Sequence, residues 1–283
     1  MNSLLKSISF IFVGIMLLSA CGDYNKLLKS NNVDQKYEAA LKYFEKKDYY
    51  RAGVLLEEVR PLLAGRIEAE KAAFLYAYTQ YHERLYATSA ELFRSFFDTY
   101  GRSPFAEESL FMHAKSLYYD SPDFNLDQTS TQTAIVAIQD FLNRYPESKY
   151  KEEANKMYDE LSAKLERKAF ENAKLYSQMG KSQLMYYQAA VTAFSTFQRE
   201  YPSSTFNEEA AYLKIVAQFN LAEESVPEKQ RERYFDTVGF YQAFVDKYPN
   251  SKYLRSAEAL FDKSTKQLER LKAPTNTANV EQK

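Results

Sequence analysis

The chain has 283 residues, a formal net charge of −1 and hydrophobic residues at 45% of its positions, including 24 tyrosines and 20 phenylalanines. This near-neutral charge gives no reason to expect a nucleic-acid partner, which would require a basic face. Only seven glycines and eight prolines are present, which favours long helices over a turn-rich β-fold. With a single cysteine, no disulfide can form within the chain, and packing must hold the fold together.

Residues 1–20 have the pattern of a secretory signal. Lys6 precedes an apolar stretch at residues 8–18, which is too short to span a bilayer as a permanent helix. The stretch runs into Leu-Ser-Ala-Cys, ending at Cys21, and this ending resembles a bacterial lipobox. The resemblance implies cleavage before Cys21 and fatty acylation of its thiol, with residues 21–34 as a tether to the membrane. An ordinary secretory signal that happens to contain a cysteine is the alternative.

A ten-residue motif recurs along the chain and indicates stacked repeats. Its copies at 141–150, 197–206 and 244–253 share the pattern Phe-x-x-x-Tyr-Pro-x-Ser-x-aromatic, and a copy at 96–105 has glycine in place of proline. Successive copies are 45, 56 and 47 residues apart, a period typical of repeated supersecondary units.

Each copy predicts a corner between two helices. The Phe and Tyr lie four residues apart, on one helical face. The proline ends that helix, since it lacks an N–H group and restricts the residue before it. The serine can cap the next helix by accepting a hydrogen bond from a free N–H group. The last aromatic residue is expected in the first turn of that helix, packed back across the corner.

These signals predict an all-α, tetratricopeptide-like α-solenoid of five helical hairpins and one closing helix over residues 35–272. The tail at 273–283 is polar and is expected to be disordered. The predicted helices cover residues 35–46, 48–61, 66–81, 85–100, 104–118, 128–145, 149–179, 182–201, 205–225, 228–248 and 251–272.

No catalytic set is recognisable, so we expect no enzyme activity, no cofactor and no metal site. His82 and His113 have no second strong ligand at metal-binding spacing and are interpreted as packing residues. Adjacent acids do not face each other on a helix, so the acid pairs are interpreted as first-turn residues on solvated faces. These pairs are Glu57-Glu58, Glu107-Glu108, Glu152-Glu153, Glu208-Glu209 and Glu223-Glu224.

Tyrosines are the better candidates for function. Stacked hairpins present a concave face to extended peptides or partner helices, and tyrosine combines apolar area with a hydrogen-bonding tip. Five tyrosines lie on the first helices of the first two predicted hairpins: Tyr37, Tyr43, Tyr76, Tyr78 and Tyr81. For each of them, a place in the core or at a corner is the alternative.

The lipobox followed by these repeats resembles the BamD family of outer-membrane lipoproteins, from Tyr37 to Ala222. The resemblance implies a lipid-anchored subunit of the β-barrel assembly machinery on the periplasmic face of the outer membrane. It also implies binding of a BamA-type insertase and of unfolded β-barrel proteins, with Tyr76 and Tyr78 at the client pocket. Further motifs that carry it are Tyr37-x-x-Ala40, Tyr49-x-x-Ala52 and Leu75-Tyr76-Ala77-Tyr78.

The sequence departs from this family pattern in two places. The first corner, at 60–65, lacks both Tyr-Pro and serine, and the helices beyond residue 228 form an additional or divergent repeat. Two other functions stay open. One is an envelope-coordinating periplasmic repeat protein similar to the YbgF/CpoB proteins, which have no lipobox. The other is a glycan-binding lipoprotein or wall-lytic enzyme, which the absence of tryptophan disfavours.

Overall fold

The computed structural model describes residues 24–272. The predicted signal peptide, the acylation site Cys21 and the predicted tail at 273–283 lie outside the described residues. Within the described part of the chain, no helix combines the length and the apolar character that a membrane span requires.

Between residues 33 and 270 the chain forms eleven α-helices, which confirms the predicted all-α fold of five hairpins and a closing helix, with boundaries that agree to within three residues. They are α1 (Val33–Glu45), α2 (Tyr49–Val59), α3 (Glu68–His82), α4 (Tyr86–Thr99), α5 (Ala106–Asp120), α6 (Thr129–Arg144), α7 (Lys151–Met179), α8 (Leu184–Glu200), α9 (Asn207–Glu223), α10 (Pro227–Lys247) and α11 (Leu254–Arg270).

The chain forms two compact units that meet in sequence at Leu161 and Ser162, inside α7. In unit 1, consecutive helices from α1 to α6 pack against each other. Burial of their apolar faces produces two clusters. The N-terminal core lies among α1, α2 and α3 and is centred on Leu55 and Leu56, and the second core follows α3 to the start of α7 and includes Phe93.

Unit 2 begins at Ser162 and has its own buried clusters. Phe170 of α7 packs with Phe194 and Phe197 of α8, and α9 joins the same cluster. A further cluster contains Ile215 and Phe244 and joins α9 to α10 and α11. The closing helix α11 therefore covers apolar surface that the last hairpin would otherwise expose.

At all four copies of the corner motif, the serine makes the predicted bond to a free N–H group, in the turn that leads into the next helix. The serine Oγ accepts a hydrogen bond from the N–H of the aromatic residue two positions later, at 3.0 or 3.1 Å. That aromatic residue stacks on a ring of an earlier helix, as in the pair Phe111 and Tyr150 with centroids 4.3 Å apart. The prediction of packing back across the corner is confirmed, although the regular helix begins one residue after the aromatic.

The same serines also donate a hydrogen bond to a glutamate on the preceding repeat. Ser148 donates to Glu107 at 2.6 Å, and Ser251 donates to Glu208 at 2.6 Å. The sequence predicts that both acids are first-turn residues on solvated faces. Their predicted place in the first turn of α5 and α9 is confirmed, but neither is fully solvated, because each is half-buried against the serine of the next corner. Ser103 and Ser204 make the equivalent bonds to Glu70 and Glu166.

The first corner departs from this pattern and uses an arginine instead. Residues Arg60–Leu63 form a short 3-10 helix that buries Leu63. The Arg66 guanidinium then pairs with Asp34 in the first turn of α1, at 2.5 Å, and with Glu68 at the start of α3, at 3.3 Å. An ion pair therefore joins the two repeats here, where the other corners use a serine hydroxyl.

Candidate functional site

The first hairpin carries a cleft along one side of α1. The helix begins after Asn32, whose side chain accepts a hydrogen bond from the Gln35 N–H at 3.0 Å, a standard N-cap. A cleft of about 640 Å³ runs beside the helix. It is lined by Leu27, Asn32, Asp34, Gln35, Glu38, Ala39, Lys42, Tyr43 and Lys46.

The cleft combines apolar surface with charges of both signs. Leu27, Ala39 and Tyr43 supply the apolar part. The exposed Lys42, in the last turn of α1, and Lys46, directly after the helix, supply cationic groups. Such a lining suits a peptide that inserts an apolar side chain and carries a carboxylate. Leu27 comes from residues 24–28, a helical turn that precedes α1, so two segments of the chain build the site.

A cluster of aromatic and cationic side chains packs around Tyr43, which lines the cleft. The Tyr43 ring meets the Tyr24 ring edge-on, with centroids 5.6 Å apart. The Arg51 guanidinium lies 5.3 Å from the Tyr24 ring and 5.6 Å from the Tyr43 ring. Asp48 pairs with the same guanidinium at 3.1 Å. Cation–π attraction and packing therefore hold the Tyr43 side chain in place.

Two of the five candidate tyrosines lie in the N-terminal core. Tyr37 is 7% exposed and Tyr76 is 8% exposed. Burial raises the pKa of both phenols above the ordinary value. The Arg60 guanidinium covers the Tyr76 ring at 4.4 Å. Most of the surface of these two rings is therefore used in packing.

Tyr78 and Tyr81 belong to the second core. The Tyr78 hydroxyl donates a hydrogen bond to Glu108 on α5, and its ring meets Phe93 edge-on at 5.0 Å. Burial, followed by the bond to Glu108, raises the pKa of Tyr78. The Tyr81 ring packs against Tyr86 at a centroid distance of 5.6 Å, and burial raises its pKa as well.

Four of the five candidate tyrosines therefore pack in or against the two cores, and Tyr43 alone among the five lines the cleft. Sequence reasoning missed Leu27, Lys42 and Lys46. The sequence does contain a pattern that indicates the cleft-facing side of α1. Polar residues recur there at spacings of three or four and therefore share one helical face: Gln35, Glu38, Lys42 and Lys46. A scan for such a polar stripe beside an apolar residue would have selected this side of the helix.

The two histidines make packing contacts. His82 stacks on Tyr49 with ring centroids 3.9 Å apart, and the His113 Nδ1–H group donates to the Ala90 carbonyl oxygen at 2.8 Å. Burial lowers the pKa of each imidazole. Among residues 24–272, no three His, Cys, Asp or Glu side chains converge as a metal site would require.

Comparison with known proteins identifies the family of this chain. The sequence model of the family YfiO, described as an outer membrane lipoprotein, matches residues 29–185, which is more than half of the chain and includes every cleft-lining residue except Leu27. A curated relative, the outer membrane protein assembly factor BamD of Caulobacter vibrioides, is 22% identical over 149 residues. That alignment covers 53% of this chain and only 47% of the relative, so the chain spans about half of its length.

The matches among solved structures are more distant. The complex of the yeast Sti1 TPR2AB domain with pHSP90 is 12% identical, with 82% of this chain and 98% of that chain covered and a TM-score of 0.38. A computationally designed cyclic homo-oligomer is 14% identical, with 92% and 96% covered and a TM-score of 0.19. The fold assignment therefore depends on the helices and corners described above.

Proposed function

Because the chain belongs to the YfiO family of outer-membrane lipoproteins, we propose that it is a non-catalytic scaffold of outer-membrane β-barrel assembly. In this role it is anchored through acylated Cys21 in the periplasmic leaflet of the outer membrane. It binds unfolded β-barrel proteins and the periplasmic domains of a BamA-type insertase. The observation that carries the proposal is the family match over residues 29–185, which covers the part of the cleft that α1 forms.

The cleft is the proposed site for the unfolded client. A β-barrel protein presents a terminal strand with aromatic side chains, and Leu27, Ala39 and Tyr43 offer apolar contacts to such a side chain. Lys42 and Lys46 are exposed on the same face and offer ion pairs to the terminal carboxylate. The remaining candidates, Tyr37, Tyr76, Tyr78 and Tyr81, act through the cores that position α1 and α3.

A capture experiment tests both halves of the proposal. The lipidated protein, purified in detergent, is incubated with solubilised envelopes and with a fluorescent peptide that copies a barrel C-terminal strand. We expect recovery of a large-barrel insertase and saturable peptide binding. The double variant Lys42→Gln with Lys46→Gln should weaken peptide binding by about three- to tenfold, the range expected for two exposed ion pairs, while the insertase is still recovered.

Lys71→Gln provides the matched control, since Lys71 is exposed on α3 and does not line the cleft. It should leave both readouts unchanged. Recovery of only cell-wall or Tol components, without an insertase, would favour the envelope-coordinating alternative. Equal peptide binding by the cleft variant and the control would show that the client does not bind at the cleft on α1.

A further inference from the structure

The residues just after the proposed acylation site are packed against the first hairpin. Tyr24, three positions after Cys21, is 9% exposed and belongs to the N-terminal core. Its ring contacts Tyr43 and the Arg51 guanidinium. A residue of a free tether would expose its ring to water, so this contact marks an attachment point.

A second attachment point lies four residues further along. The Lys36 side chain on α1 is almost fully buried, and its ammonium group donates to the Leu28 carbonyl oxygen at 2.9 Å. The same ammonium group pairs with Glu58 on α2. Leu27 and Leu28 also pack on the N-terminal core. One buried cation therefore joins residues 24–28 to both helices of the first hairpin.

Chain length then limits how far this hairpin can lie from the bilayer. Three residues span at most about 10 Å when fully extended, so Tyr24 must lie within that distance of Cys21. If residues 24–28 were detached, the twelve residues from Cys21 to α1 could span about 40 Å. Attachment at Tyr24 therefore sets the distance between the lipid and the hairpin.

The turn beside Tyr24 has side chains that suit a membrane interface. Lys42, Lys46 and Lys47 are exposed at the end of α1 and in the turn that follows, and Tyr50 in the first turn of α2 is 66% exposed. Exposed lysines attract anionic phospholipid headgroups, and tyrosine is favoured at the level of the headgroups. We name Lys42, Lys46, Lys47 and Tyr50 the turn patch.

From these contacts we propose that residues 24–28 form a clamp that holds the turn patch against the phospholipid headgroups. The inference depends on the proposed acylation of Cys21 and adds a defined membrane-facing side to unit 1. It also places the cleft at the bilayer surface, because Leu27, Lys42 and Lys46 belong to the cleft lining as well.

The test measures distance from the bilayer with a fluorophore. Acylation occupies the only native cysteine, so an introduced cysteine can be labelled alone. One label replaces Glu45, exposed at the end of α1, and the matched control replaces Ile67, which is 92% exposed beyond the other end of α2. Helix α2 separates the two ends by about 16 Å. The lipidated protein is inserted into phosphatidylethanolamine–phosphatidylglycerol vesicles that contain a headgroup nitroxide quencher.

We expect the label in Glu45→Cys to be quenched at least twofold more than the label in Ile67→Cys. Tyr24→Ala should abolish this difference. Tyr24→Phe should preserve it, because the buried Tyr24 hydroxyl has no hydrogen-bond partner among the described residues and the ring contacts are retained. Mass spectrometry of each sample measures whether Cys21 is acylated.

Two results would overturn the clamp alone. One is equal quenching at both positions in acylated protein, and the other is a difference that persists in Tyr24→Ala. An unmodified Cys21 in protein prepared from bacterial envelopes would instead refute the lipid anchor, and the clamp with it. The mass of the modified residue therefore separates failure of the proposed function from failure of this inference.

Discussion

The corner serines show how much a single side chain contributes to this repeat. Ser148 accepts a hydrogen bond from the Tyr150 N–H at 3.1 Å and donates one to Glu107 at 2.6 Å. The first bond satisfies an N–H group near the start of α7, and the second gives a half-buried carboxylate a charge-assisted partner. One hydroxyl thus serves both the local turn and the contact with the preceding repeat.

At this scale we predict that Ser148→Ala lowers the free energy of unfolding by about 1–3 kcal/mol, because it leaves the Tyr150 N–H group and the Glu107 carboxylate without this partner. Chemical denaturation followed by circular dichroism measures the change. Ser95→Ala is the control, since Ser95 is exposed in the middle of α4, and its effect should stay within about 0.5 kcal/mol. A similar effect in both variants would show that the hydroxyl network contributes little.

At the scale of elements, the end of the longest helix depends on a glycine. A Cβ atom added at Gly180, just after α7, would lie 2.2 Å from the Tyr187 ring of α8. Tyr187 is only 3% exposed and packs in the core of unit 2, so it has little room to move. The absence of a side chain at Gly180 therefore permits α8 to fold back onto α7.

Gly180→Ala is accordingly expected to lower the free energy of unfolding by about 1–3 kcal/mol, as overpacked sites do. Gly239→Ala is the matched control, because Gly239 lies inside α10 and an added Cβ meets no atom within 4 Å. That change should raise stability by about 0.5–1 kcal/mol through the better helix propensity of alanine. Thermal unfolding of both variants decides the prediction, and destabilisation by both would point to helix geometry instead of the Tyr187 contact.

At the scale of the whole molecule, each compact unit has its own buried clusters. Unit 1 contains the N-terminal core and the second core, and unit 2 contains the clusters built around Phe170 and Phe244. In repeat proteins, stability is approximately a sum of repeat and nearest-neighbour contributions. A local substitution should then weaken mainly the unit in which it lies.

Hydrogen exchange with peptide-level resolution tests this expectation on the full chain. Ser148→Ala should speed exchange in α3–α6 of unit 1, and Gly180→Ala should speed exchange in α8–α10 of unit 2. Each variant serves as the control for the other, since their expected effects on stability are similar in size. If either substitution speeds exchange equally in both units, the chain unfolds as one cooperative body.

Local sequence patterns were sufficient to predict the elements of this protein. The spacing of Phe and Tyr, the proline and the serine act within ten residues, so helices, corners and the repeat could be read without knowledge of the fold. The resemblance based on those residues agrees with the family match. Acylation of Cys21 and the partner contacts of the tyrosines stay predictions.

Tertiary structure alone decided which faces of these helices are used. Helix α3 has neighbours on two sides, so Tyr76 is buried in the N-terminal core and Tyr78 packs against the second core. The periodicity of the sequence could not show which tyrosine belongs to which core. The partner of Ser148, Glu107, lies 41 residues away in sequence. Tyr24 is buried only because α1 and α2 pack together beside it. Short-range steric and hydrogen-bond rules act through sequence spacing, whereas burial depends on which helices become neighbours after the chain has folded.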